Sequence, residues 1–241
     1  MSIYAETIDS LKQISSKSYK EFSEKIARSS KVMLGVKIPT LKKIASDVLK
    51  LDYASYLSEC KFEFFEDTLL FGLIIARLNY KDFLAYLPTY LSNADSWSHI
   101  DSFVSAITCV KNNSDDFFEF VKSEIFKAKD FHLRFFIVCL MSFYLQRENL
   151  NYIFDVVEKL DGNGYYNDMA IAWLISIAYV KFKDETFEFI KTSKLSNFTL
   201  NKAISKINDS LRVTRENKIL LQNYTRKIKK DGHFKNDYRR I

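Results

Sequence analysis

The chain has 241 residues, 47% of them hydrophobic and 27% charged, which is ordinary for a soluble globular protein and long enough for one domain with a sizeable core. Five glycines and two prolines leave almost no strand-rich turn chemistry, so long helices are favoured. The net charge of +6 is uneven: residues 194 to 241 hold 13 Lys/Arg against 4 Asp/Glu, so all of the net basicity is C-terminal.

The first residues, MSIYAETIDSLKQISSKSYKEF, lack an apolar signal core. Apolar recurrence at three- and four-residue spacing then predicts helices near 5–14, 16–29, 39–50, 52–59, 63–78, 80–91, 96–111, 114–128, 130–146, 149–160, 166–182, 184–192, 199–210 and 214–230. The first helices of successive pairs start near 39, 63, 96, 130, 166 and 199, a spacing of roughly 35 residues that suits a helical-repeat solenoid. The expected fold is therefore all-α, a curved stack of antiparallel helical pairs with a concave face. One domain is expected over 1–230, followed by a basic tail at 231–241.

At 35–45, GVKIPTLKKIA places Pro39 in a first helical turn and Gly35 before it as a turn residue. The segment at 93–110, NADSWSHIDSFVSAITCV, offers Asp95 or Ser96 as N-cap and a buried stripe of Ile100, Phe103, Val104 and Ile107. Trp97 and Asp101 lie one turn apart along the edge of that stripe. A lone carboxylate on a helix is usually just solvated, but beside an indole its partial desolvation must be offset by a partner or a cationic ligand. His99 points away from both and is expected at the surface or an interface.

Arg134 interrupts FHLRFFIVCLMSFYL, where the positions one to three turns along are Ile137, Val138, Met141 and Leu145. A guanidinium on such a stripe needs an anion, either a structural carboxylate or a phosphate. Trp173 lies in MAIAWLISIAYVKF, in line with Ala170, Ile177 and Val180, where core packing is the default. This apolar run, Met169 to Val180, is the longest in the chain and too short to span a bilayer, so a soluble cytoplasmic protein is expected. Further on, Lys202, Lys206 and Asp209 share one helical stripe, and Asn208, Arg212 and Arg215 another. Ala203, Ile204, Ile207 and Leu211 form the buried one. Such a basic face is either a solvated surface or a phosphate-binding footprint.

Cys60, Cys109 and Cys139 are isolated and read as buried free thiols of a reducing compartment. His99, His132 and His233 have no metal-ligand spacing. No Gly-rich phosphate loop, GxSxG elbow or HExxH is present.

GVKIPTLKKIA (35–45), SWSHIDS (96–102), FHLRFFIV (131–138), MAIAWLI (169–175) and NKAISKINDSLRV (201–213) follow the order and spacing of the DNA alkylation repair family, bacterial glycosylases built from HEAT-like repeats. The chain resembles that family over roughly 35 to 215. The resemblance implies a curved solenoid whose concave basic face takes double-stranded DNA containing alkylated bases; a monomer with no membrane role is expected. The family's tryptophan followed four residues later by aspartate matches Trp97 and Asp101, its arginine Arg134, and its second tryptophan Trp173. The implied reaction is hydrolysis of the N-glycosidic bond of N-alkylated cationic purines such as 3-methyladenine and 7-methylguanine. Asp101 would stabilise the oxocarbenium and activate water, Trp97 and Trp173 would contact the sugar and backbone, and Arg134 would hold a phosphate. Lys37, Lys202, Lys206, Arg212 and Arg215 are the expected DNA contacts, and no cofactor or metal is required.

Two places depart from the family pattern. The sequence after Trp173 is apolar, and the N-terminal aromatic is not assigned among Tyr19, Phe22 and their neighbours. A catalytically silent HEAT-like protein that binds DNA or DNA damage is the alternative reading; a helical scaffold for protein partners is a third.

Overall fold

The computed structural model describes residues 2–227 and is all-helical among them. The expected tail at 231–241 lies outside the described residues. The chain divides into two compact units, 1–117 and 118–241.

The first unit contains α1 (Ile3–Gln13), α2 (Lys17–Ala27), α3 (Ile38–Leu51), α4 (Tyr53–Glu59), α5 (Phe65–Ile75), α6 (Tyr80–Asn93) and α7 (Trp97–Val104). Its axis is α5, buried along its whole length, with α3, α6 and α7 packed against it and α1 against α4. Helices apolar on every side belong inside a core, and the sequence Phe65–Ile75 is apolar on every side but for Glu66, Asp67 and Thr68. Gly72 permits the closest approach: a Cβ there would lie 2.6 Å from Cε2 of the buried Tyr90 on α6.

The second unit follows α8 (Ser114–Glu124) with α9 (Asp130–Phe143), α10 (Leu150–Leu160), α11 (Tyr165–Lys181), α12 (Lys183–Thr192), α13 (Asn197–Asp209) and α14 (Arg215–Gln222). Here α11 is the axis, packed against α9, α12 and α13. The helices that stack on one another, α3, α5 and α7 in one unit and α9, α11 and α13 in the other, start at 38, 65, 97, 130, 165 and 197. These are the first members of the pairs expected from sequence, and their packing is that of a helical solenoid.

Three expectations are corrected. The helix predicted over 96–111 ends at Val104 and resumes only as a 3-10 turn at Cys109–Asn112. The Thr108 N–H and Oγ1 both donate to the Ala76 carbonyl, at 2.9 and 3.2 Å, which draws the chain out of helical register toward the end of α5. The last predicted helix, 214–230, stops at Gln222. Arg226 then docks back through N–H donation to Asn201 Oδ1 and guanidinium donation to the Leu195 and Ser193 carbonyls. Leu211, expected on a buried stripe, is 99% exposed, because α13 ends at Asp209 and the chain turns before the Thr214 cap of α14.

Candidate active site

The site begins with the cap of α7. Ser96, fully buried, accepts the Ser98 N–H and donates to the Ala27 carbonyl at 2.7 Å. The neighbouring Trp97 indole Nε1 donates to the Ile26 carbonyl at 3.1 Å. Two consecutive side chains thus tie the start of α7 to the end of α2. The same pair of bonds satisfies carbonyls that the last turn of a helix leaves without intrahelical donors.

Asp95, just before the cap, gathers Ser29 Oγ, Ser30 Oγ and the Ser30 N–H at 2.6, 2.6 and 2.8 Å. Partial burial opposes ionisation of Asp95, but hydrogen bonding from His99, Ser29 and Ser30 outweighs it and holds the carboxyl well below the usual range. His99 is therefore a correction. Instead of the surface it occupies the core, stacked on Phe65 at 4.3 Å, with Nε2 3.1 Å from the Phe65 carbonyl and Nδ1 3.3 Å from Asp95 Oδ1. The stripe that α7 turns toward α5 includes positions 99 and 103 as well as 100 and 104. A histidine can join it because both ring nitrogens find polar atoms nearby.

Ile100, Phe103 and Val104 are buried as expected, and Trp97 and Asp101 are half-buried one turn apart on the edge. Asp101 is felt by the fully buried Tyr90: burial first, then the Asp101 charge, push that phenol well above its ordinary value. The Tyr90 hydroxyl donates to the His99 carbonyl at 2.8 Å, fixing α6 against the same turn of α7.

In the second unit Arg134 is 5% exposed on α9, and its Nη1 donates to the Tyr166 carbonyl in the first turn of α11. Trp173 sits on α11 in a stripe of half-buried residues, Tyr166, Met169, Ile177 and Val180, while most of the rest of that helix is buried. The indole is thus part of a partly open apolar face rather than of the core. The structure brings Trp97 and Asp101 together on one helix and places Arg134 and Trp173 on two helices that pack directly. Beside Arg134, a row of half-buried rings runs across three helices: Phe131 to Tyr166 at 5.3 Å, Tyr166 to Tyr165 at 5.3 Å, and Tyr165 to Phe198 at 5.9 Å.

The basic residues are dispersed. Lys37 is exposed at the cap of α3, its Nζ 5.9 Å from the Tyr19 ring. Lys202 is exposed on α13 over Phe198, and Lys206 is half-buried one turn on. Arg212 and Arg215 are exposed but off that helix, in the turn after it and at the first position of α14. The stripe expected for Arg212 and Arg215 with Asn208 is broken by the end of α13.

Sequence reasoning missed a cavity of about 230 Å³ in the first unit, walled by Tyr19, Phe22, Ile26, Phe65 and Trp97, with Glu66 among its lining. Glu66 is 2% exposed and accepts three main-chain N–H groups: Gly35 and Val36 on Oε1 at 2.7 and 3.1 Å, Leu34 on Oε2 at 2.9 Å. Gly35, at φ +95°, allows the loop to present them. The signal was available, since a carboxylate inside FFEDTLLFGLII is as out of place as Arg134 in its helix.

A family model described as DNA alkylation repair enzyme matches residues 7–207, a span that holds Trp97, Asp101, Arg134, Trp173 and the cavity. The chain belongs to the DNA alkylation repair enzyme family. No curated protein matches the chain. Membership gives DNA repair as its field and DNA as its substrate, and its all-helical pairing agrees with the expectation drawn from sequence. Among the described residues no helix is long and apolar enough to cross a membrane.

Proposed function

We propose that the protein is a DNA glycosylase that hydrolyses the N-glycosidic bond of N-alkylated, cationic purines in duplex DNA. The observation that carries this reading is the half-buried Trp97–Asp101 pair on α7, a carboxylate held beside an indole in a chain of this repair family. Alkylation at a ring nitrogen makes the base a good leaving group, so catalysis must mainly stabilise the sugar cation that remains. The C1′–N bond breaks and its electrons neutralise the departing base. Asp101 stabilises the positive sugar and orients water, whose oxygen bonds to C1′ as its proton passes to the carboxylate. Trp97 and Trp173 offer π-faces to the cationic sugar, and Arg134 holds a phosphate.

Lys37, Lys202, Lys206, Arg212 and Arg215 contribute phosphate contacts, which makes duplex binding fall steeply with salt. In this reading residues 1–230 work as one HEAT-like domain and the protein is a cytoplasmic monomer that needs no cofactor. A catalytically silent DNA-binding protein is the second reading, favoured by the apolar surroundings of Trp173, where Met169 and Ile177 flank it.

Methylated duplex incubated with the protein, with released 3-methyladenine and 7-methylguanine measured by mass spectrometry, separates the two. Release that disappears in Asp101→Asn while duplex affinity holds or rises supports the glycosylase. Binding without release from the unaltered protein selects the silent form.

A further inference from the structure

The turn before α11 reads LDGNGYY over 160–166 and sets two pairs in succession, Asp161–Gly162 and Asn163–Gly164. In either pair the glycine N–H can attack the carboxyl or amide carbon of the side chain before it, because glycine offers no Cβ to block the approach. Asn163–Gly164 is the sole Asn–Gly in the sequence; the other Asp–Gly pair, 231–232, lies outside the described residues. Which pair reacts is decided by how tightly the fold holds each one.

Asp161–Gly162 is held at both ends. The Asp161 carboxylate accepts the Ser196 N–H, the Ser196 hydroxyl and the Thr199 hydroxyl at the cap of α13. The Gly162 N–H, which would be the nucleophile, donates to Asp168 Oδ1 at 2.9 Å. Asn163–Gly164 is held far less. Both residues are exposed, and the side-chain amide is restrained by one bond, Asn163 Nδ2 to the Leu160 carbonyl at 2.9 Å. Among the described residues no hydrogen bond takes up the Gly164 N–H. Gly162 and Gly164 lie at φ +88° and +98°, and a Cβ on either would meet nothing within 4 Å, so the turn has room to bring Gly164 N toward Asn163 Cγ.

The fold also activates this nucleophile, whose reactive form is the deprotonated amide. The Asn163 carbonyl, conjugated with the Gly164 nitrogen, accepts a hydrogen bond from Asn167 Nδ2 at 2.8 Å, which draws electrons out of that peptide group. Gly164 is also the N-cap of α11, a helix of 17 residues whose positive end stabilises negative charge placed there.

We infer that Asn163 is a site of spontaneous covalent modification, closing with Gly164 to a cyclic imide that water opens to aspartate or isoaspartate. The Gly164 nitrogen bonds to Asn163 Cγ, the Cγ–Nδ2 bond breaks, and ammonia leaves with the proton that Gly164 gives up. Water then adds to one imide carbonyl and a C–N bond breaks. Opening at Cγ restores the main chain as aspartate, with its new carboxylate at the favourable end of α11. Opening at the main-chain carbonyl reroutes the chain through Cβ and Cγ, one CH2 longer, as isoaspartate. That product removes the carbonyl that holds Asn167 Nδ2 and displaces the Gly164 carbonyl, which accepts the Asn167 and Asp168 N–H groups at 3.1 and 3.0 Å. The first turn of α11 shifts with it, and Trp173 lies further along the same helix. This chemistry is independent of the glycosylase reading.

The test incubates the full chain at mildly alkaline pH in water enriched in heavy oxygen, native and in urea, and reads the digested products by mass spectrometry with fragmentation that tells isoaspartate from aspartate. The expected result in the native protein is replacement of the Asn163 amide NH2 by solvent oxygen, with both isomers formed, while Asp161 stays unisomerised. In urea both pairs react. Asn163→Gln, whose closure needs a larger ring, loses the mass gain. An Asn163 that stays intact in the native protein while it reacts in urea overturns the inference, and so does isomerisation of Asp161 as fast in the native protein as in urea. In a Trp97→Phe background, the isoaspartate form separated by chromatography should differ in Trp173 emission from fresh protein, and Asn163→Asp should not. Identical emission from the isoaspartate form overturns the coupling to α11.

Discussion

Gly72→Ala tests how α7 is held in place. An ideal Cβ at position 72 meets Tyr90 Cε2 at 2.6 Å and Cζ at 2.8 Å, whereas ordinary contact begins near 3.4 Å, so the ring must retreat by about 0.8 Å. It has nowhere easy to go. Tyr90 is fully buried, 4.2 Å from the Phe103 ring, and its hydroxyl is pinned to the His99 carbonyl at 2.8 Å. A retreat of that size away from α5 takes the hydroxyl out of hydrogen-bonding reach or drags α7 with it. Overpacking costs ~1–3 kcal/mol and a buried donor left unpaired ~1–3 kcal/mol, against a gain of ~1 kcal/mol from alanine in a helix, a net destabilisation of about 3 kcal/mol. Urea unfolding followed by Trp97 fluorescence measures it. Gly72→Ala/Tyr90→Leu, which removes the clashing ring and its hydroxyl together, should recover part of the loss. A change under 1 kcal/mol in the single variant, or no recovery in the double, would refute the account of α6 as the brace of α7.

Three further outcomes are expected. Replacing Lys202, Arg215 or Lys37 by alanine should lower the slope of log affinity against log salt by about 0.9 for each phosphate no longer neutralised, and unchanged slopes would remove those residues from the interface. Asp95 is held low by its hydrogen bonds, so its contribution to stability is present above the ordinary carboxylate pKa and is lost as pH falls through the folded value; Asp95→Asn should be less stable than the parent at neutral pH and converge on it in acid. Burial, with the Asp67 charge second, pushes the Cys60 thiol up to about 12, and burial also raises Cys139, so a thiol reagent should label both slowly in the native protein and quickly in urea.

The sequence predicted the stacking helices because their signals are local. Apolar runs such as those of α5 and α11 declare burial, and Pro39 and Ser96 mark helix starts regardless of what packs on them. Trp97, Asp101 and Arg134 stand out as candidates for a related reason, each being chemically out of place on its own helix. The failures needed a distant partner. The break after Val104 depends on the Ala76 carbonyl taking Thr108, and the burial of His99 depends on Phe65 and Asp95 lying within reach of its two nitrogens. The cavity escaped because the α2 stripe looks like any core-facing stripe in sequence; that it faces open space is a property of where α7 is tied.

Two adjacent carboxylates on α5, Glu66 and Asp67, give opposite predictions for the same change of acid to amide. Glu66 meets N–H donors on both oxygens, three in all, and none of them can turn acceptor. A glutamine keeps one oxygen and sets its NH2 against a main-chain N–H, leaving a buried donor unpaired and weakening the charge-assisted bonds that remain. Glu66→Gln should cost about 2–3 kcal/mol and loosen the loop that carries Lys37. Asp67 concentrates its fixed donors on Oδ2, which accepts the Tyr4 hydroxyl and the Glu63 N–H, both at 3.0 Å. Its Oδ1 meets the Thr68 hydroxyl, which already donates to the Phe64 carbonyl and can accept from an amide instead. Burial raises the pKa of Asp67, so stability from this group is present below the ordinary carboxylate pKa and lost as pH rises through the folded value. Asp67→Asn removes that loss: it should be as stable as the parent or more so at neutral pH, with a flatter profile between acid and neutral. Unfolding curves of both variants across that range decide it. If Asp67→Asn were the more damaging of the two, the assignment of which oxygen carries the obligatory bonds would be wrong.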